Sequence, residues 1–188
     1  MSRAYRLSVF ESLNRVVQAE DGVCSQLELL PLLSPEELGG LLSAELVRRG
    51  FALEDGIALR TESDGVRVAI DPRTGGVSVT LADERAVELS ARAEERYGDG
   101  RTEEEARARA QERARDKLEA QTQKAGEQLR EDITRRLEGR LRDLKQELDG
   151  VTNRVTAEAL KIRAGQLGTV EEISEDASTG SLTIKVRL

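Results

Sequence analysis

The sequence predicts an α+β fold: a small, mainly antiparallel β-sheet body with one short helix, interrupted by a long, charged, coiled-coil-like helical arm. Three observations carry this. Stretches of alternating apolar and polar residues, punctuated by Asp, Gly and Pro, recur before position 98 and after position 168. A proline-free stretch from Arg101 to Asp149 carries charge on nearly every turn. One capped helix start stands at Ser34. The expected organisation is residues 1–98 as the N-terminal part of the body, 101–167 as the arm with a break near 150, and 168–188 as a C-terminal β-hairpin returning to the body.

Composition narrows the function classes. Of 188 residues, 38% are hydrophobic and 35% charged. The charged share exceeds the roughly 25% of ordinary globular chains, as a long exposed helix would require. The aromatic residues are Tyr5, Phe10, Phe51 and Tyr97, so the core must be built from Leu, Val, Ile and Ala. The net charge is −7, yet Arg101 to Gly150 holds 13 basic and 13 acidic side chains. A neutral arm on an acidic body lacks the basic stripe that phosphate binding needs, so nucleic acid is not an expected partner. Cys24 is the single cysteine, which excludes an internal disulfide framework. No apolar run is long enough to span a bilayer, so no membrane association is expected and the expected compartment is cytoplasmic.

Taken in order, Tyr5, Leu7 and Val9 alternate with Arg6 and Ser8, as in a half-buried strand. Val16 to Ala19 and Val23 to Leu30 flank Glu20-Asp21-Gly22, a hairpin signal, and Pro31 stops the second run. Ser34-Pro35-Glu36-Glu37 has the N-cap, first-turn proline and capping-box glutamate of a helix start. Leu38, Leu41, Leu42, Leu46 and Val47 form that helix's apolar face, and Arg48, Arg49 and Gly50 end it. Strand patterns follow at Phe51–Leu53, Ile57–Arg60, Val66–Ile70 and Val77–Leu81.

From Asp83 to Tyr97 two signals compete. Val87, Leu89, Ala91 and Ala93 keep period two, while Ala and Glu favour helix. The period favours a long strand ending at a Gly98-Asp99-Gly100 hinge, after which Thr102 caps the arm. The C-terminal strands are Val170–Ser174 and Ser181–Leu188. Their connector shares Asp, Thr and Gly with the connector Asp71 to Gly76 at matching positions. Two hairpins obeying the same turn chemistry and a duplicated unit are both compatible with that.

Within the arm, Leu129, Ile133, Leu137, Leu141, Leu144, Leu148, Val151 and Val155 form an apolar stripe, with heptad spacing from Leu137 onward. Before Leu118 the stripe is only alanine, at Ala106, Ala110 and Ala114, and this half reads as a solvated strut. At about 1.5 Å per residue the arm spans roughly 70 Å, longer than a small body could cover. These eight residues are therefore expected to be an interaction seam, for a second copy of the chain or for a helical partner protein. Gly126, Gly139 and Gly150 mark bends, with Gly150 the expected break.

Site chemistry is sparse. Without histidine there is no Ser-His-Asp triad, no His-activated thiol and no His-based metal site. Cys24, in a strand pattern, reads as a small buried hydrophobe. No phosphate-binding glycine pattern occurs. Glu171, Glu172, Glu175 and Asp176 form the densest acidic cluster, and a solvated face accounts for it. No catalytic residue, cofactor or metal is expected, and the chain reads as a non-enzyme.

Two segments carry a resemblance: the opening MSRAYR with DGVCSQLELLP from Asp21 to Pro31, and the ending from Val170 to Asp176 with GSLTIKV from Gly180. They are similar to small accessory proteins of bacterial ternary systems encoded beside AAA+ ATPases of the FtsH or MoxR type. The resemblance implies an accessory role and an AAA+ ATPase as partner; it brings no site residues. The function expected is a non-enzymatic adaptor or scaffold that oligomerises or binds a partner through its arm. The alternative is a structural subunit of a phage- or secretion-like assembly.

Overall fold

A computed structural model of the protein describes residues 5–98, 102–176 and 181–187. The elements are β1 (Tyr5–Gln26), α1 (Pro35–Arg48), β2 (Ala52–Glu54), β3 (Ile57–Thr61), β4 (Arg67–Asp71), β5 (Gly76–Tyr97), α2 (Glu103–Leu167), β6 (Thr169–Asp176) and β7 (Ser181–Arg187). The first five strands form one sheet in the order β1-β5-β4-β3-β2, and β6 with β7 forms a second. The class is α+β, as the patterning implies.

Several expectations change. The Glu20-Asp21-Gly22 hairpin does not exist: β1 runs through it for 22 residues. Gly22 is there for space, because a Cβ would stand 2.9 Å from Thr80 Cγ2 and 3.1 Å from the Val79 carbonyl oxygen. Likewise, α2 continues through Gly150 over 65 residues without a break. A Cβ at Gly150 would meet the Arg49 guanidinium at 3.4 Å, so this glycine marks a close approach. The C-terminal hairpin forms its own two-stranded sheet, with a bulge between Val170 and Glu172, in the same compact unit as β2, β3 and β4. The competing signals of Asp83–Tyr97 resolve as strand, for β5 extends to Tyr97. Asp99 and Gly100 of the hinge, and residues 177–180 of the last connector, lie outside the described residues.

The chain divides into two compact units, Met1–Asp21 with Ala82–Arg136 and Gly22–Leu81 with Leu137–Leu188. In the first, Ala91 and Ala93 of β5 pack with Ala110, Ala114 and Leu118 of α2, joined by Val9, Leu13 and Leu89. The alanine stripe is thus buried and not a solvated strut, since small side chains let the helix lie close on the strands. Thr102 opens the helix with a capping box, its Oγ1 accepting from the Glu105 N–H and Glu105 Oε2 accepting from the Thr102 N–H.

In the second unit, antiparallel β2–β3–β4–β5 pairing aligns Ala58 with Ile70 and Val68 with Val79. Leu42 and Leu46 of α1, with Phe51, Ala58, Val66, Ile70 and Val77, are buried there. The capping box predicted at Ser34 forms: Ser34 Oγ accepts from the Glu37 N–H and Glu37 Oε2 from the Ser34 N–H. Those bonds hold the Glu37 carboxyl below its ordinary range.

Candidate interaction surfaces

The eight residues of the expected seam do not face solvent as a set. Leu129 and Ile133 are fully buried within the first unit, and Leu137, Leu144, Leu148, Val151 and Val155 within the second; Leu141 is half-buried. A body too small to cover the arm presupposed short strands, whereas β1 and β5 each have 22 residues. Most of the stripe is buried in the chain's own packing, while Leu141, Leu144 and Leu148 also line a cleft of the second unit.

The second unit holds this stripe with a polar clamp. Arg60 of β3 donates from both terminal nitrogens to the two carboxylate oxygens of Glu147 on α2, each at 2.7 Å. Its Nε donates to Glu62 at 2.7 Å, and its guanidinium lies 4.3 Å over the Phe51 ring. The Arg60 bonds pull the Glu147 carboxyl below its ordinary range, against the opposing effect of burial. Arg140, about two turns earlier on α2, reaches Asp64 at 2.8 Å. This cluster is closed on itself and fixes helix to sheet.

Beside it is a cleft of about 660 Å³. Its floor is Val77, Val79, Leu144 and Leu148, and its rim includes Lys145 and Asp149. Ser25, Gln26, Glu28 and Thr152 also line it, so apolar and polar groups are mixed there. Among the described residues, no group of three or more His, Cys, Asp or Glu is placed to hold a metal ion. The acidic cluster is ion-paired: Glu172 with Lys185, Glu171 with Arg187, and Glu175 with Arg154 at 3.9 Å. Cys24, expected to be buried, is exposed. Its neighbours Gly22, Val23, Ser25 and Gln26 are exposed as well, so both faces of this end of β1 are open.

The first unit presents a different surface. Phe10 and Val16 of β1 are 68% and 55% exposed. Both fall on the polar phase of the strand's alternation, shared with Arg6, Ser8 and Ser12. An aromatic and a valine out of phase are the signal that the sequence holds for this surface. β1 is also the terminal strand of its sheet.

No helix among the described residues is long and apolar enough to cross a membrane. The model of one protein family, described as FtsH ternary system domain X5, matches residues 1–188. No curated protein and no solved structure is significantly similar to the chain.

Proposed function

The chain belongs to the FtsH ternary system domain X5 family, and from that premise we propose that it is a non-enzymatic adaptor or scaffold. It acts in the cytoplasm by holding partner proteins, among them the FtsH-type AAA+ ATPase of its system. The observation that carries the reading is the family match over the whole chain, which makes it an accessory domain of an FtsH-associated ternary system.

Two physical features support contact over catalysis. The chain has no histidine, which removes the commonest general base and metal ligand at neutral pH. Its strongest polar cluster, around Arg60 and Glu147, is occupied in bracing helix to sheet and offers no free group to a substrate. Two surfaces open to partners are the exposed strand β1 and the cleft of the second unit, whose lining mixes apolar and polar side chains.

ATP turnover by the FtsH-type ATPase of the same system, measured with and without the chain, tests this. The chain alone is expected to hydrolyse no nucleotide and to alter the ATPase's turnover or its choice of substrate. Nucleotide hydrolysis by the chain alone, abolished by substituting one of its own residues, would contradict the reading.

A further inference from the structure

An open strand edge exposes a row of backbone N–H and C=O groups, which proteins ordinarily blunt with charge, proline or brevity. β1 is the terminal strand of the five-stranded sheet and is 22 residues long. Among the described residues no strand pairs with its outer edge. Between Leu7 and Ala19 it contains no proline and only two charges, Glu11 and Arg15. Its neighbour β5 carries eight charged residues from Ala82 to Tyr97. The long edge of β1 is therefore left unblunted where the protein had the means to blunt it, and exposed Phe10 and Val16 lie along it.

We propose that this edge pairs with the same edge of a second copy, antiparallel, about a two-fold axis at Leu13. Residues equidistant from Leu13 then face each other across the axis. Glu11 faces Arg15 of the second copy, and Arg6 faces Glu20. Phe10 faces Val16, Val9 faces Val17, and Leu7 faces Ala19. Every one of these charges meets its opposite, and exposed Phe10 and Val16 meet each other, while Tyr5 faces Asp21.

Only this register does so. Directly opposed residues must lie on the same face of the strands, so the axis passes through a residue. With the axis at Ser12, Glu11 faces Leu13 and Arg15 faces Val9; with it at Asn14, they face Val17 and Leu13. An axis at Glu11 or at Arg15 sets that charge against itself. The self-complementarity belongs to Leu13 alone among these positions, and a two-fold interface requires it.

The helix does not obstruct the pairing. In the first unit α2 lies on the face of the ribbon that carries Val9, Leu13, Ala91 and Ala93. The axis places both helices on one face of the joined sheet. With strands about 4.8 Å apart and each helix over its own two strands, the helix axes come about 10 Å apart, which is packing distance. Glu11 contacts Arg115 of its own chain only loosely, at 3.7 Å, and its second oxygen can accept from the Arg15 of the other copy.

This inference rests on the adaptor reading for its purpose, since it names the self-association surface of such a scaffold. Its test uses the full chain alone, so failure of the dimer and failure of the ATPase contact are read separately. Light scattering and sedimentation equilibrium are expected to show a dimer. Symmetry places the Glu11–Arg15 pair in the interface twice, so Glu11→Arg or Arg15→Glu is expected to weaken the dimer about tenfold or more. The double variant Glu11→Arg with Arg15→Glu is expected to restore it. Far-ultraviolet circular dichroism of each variant confirms that the fold survives. A monomer for the unmutated chain overturns the inference and leaves the edge to a strand of another protein. Single swaps that leave the dimer unchanged, or a double swap without rescue, overturn it as well.

Discussion

The two terminal nitrogens of Arg60 and the two carboxylate oxygens of Glu147 form a parallel pair of hydrogen bonds, both 2.7 Å long. This pair joins β3 to α2 within the second unit, and it explains why the helix's apolar stripe is held inward there. Bidentate, charge-assisted bonds of this kind fix orientation as well as distance. Both side chains are less than a third exposed, so solvent screens the pair only in part.

Arg60→Ala should therefore destabilise the protein by roughly 2 kcal/mol, because Glu147 loses its principal partner and Phe51 its stacked cation. Arg60→Lys should recover only part of this, since an ammonium cannot form the fork. Denaturant midpoints of the two variants check it; equal midpoints for Arg60→Lys and the unmutated chain would contradict the clamp.

The same pair gives a pH dependence. The Glu147 carboxyl titrates below its ordinary range in the folded state, chiefly because Arg60 hydrogen-bonds its charged form. Asp71, bonded by the Arg73 N–H and the Thr74 hydroxyl, and Glu37, bonded by Ser34, are lowered too. A depressed folded pKa stabilises above the unfolded value, near 4.5 for Glu and 3.8 for Asp, and that stability is lost as pH falls through the lower folded value. Melting temperature should accordingly drop as pH falls below the unfolded carboxylate range, and less steeply in Glu147→Gln. An identical slope in that variant would mean that the pair contributes nothing.

Glycines separate the observed fold from the one predicted. Gly126 and Gly139 have open space where a Cβ would stand, so Gly126→Ala and Gly139→Ala should each stabilise α2 by up to about 1 kcal/mol. Gly22→Ala should destabilise, because the added carbon meets Thr80 and the Val79 backbone. If residues 20–22 formed an open hairpin turn, that carbon would meet neither. Thermal denaturation of the three variants distinguishes the cases.

Leu137→Ser and Leu144→Ser test the seam. Both residues are buried in the isolated chain, so each substitution should cost roughly 2–5 kcal/mol of folding stability, and Leu141→Ser, at a half-buried position, less. Changed association with an unchanged denaturant midpoint would instead mean that the seam is open to a partner.

Local signals were legible in the sequence. The Ser34 and Thr102 caps, the period of β5 and the helical period of α2 each follow from residue chemistry within a few positions. What escaped was tertiary. Asp21-Gly22 has turn chemistry, yet the neighbouring Val79 and Thr80 backbone uses the glycine for close approach. Ala106, Ala110 and Ala114 look too small to form an interface until two strands lie against them. The seam of Leu129 to Val155 was recognised as apolar, but no local pattern says whether a helix stripe is covered by its own sheet or by another molecule. Phe10 and Val16 were visible as breaks in alternation, and their importance depends on β1 being an edge, which is a property of topology.

The measurement that bears most directly on the adaptor account is chromatography with light scattering of the purified full chain mixed with the FtsH-type ATPase of its own ternary system. The expected result is a complex of defined mass containing both proteins. Separate elution of the chain from the ATPase and from every other component of the system, with and without nucleotide, would contradict it.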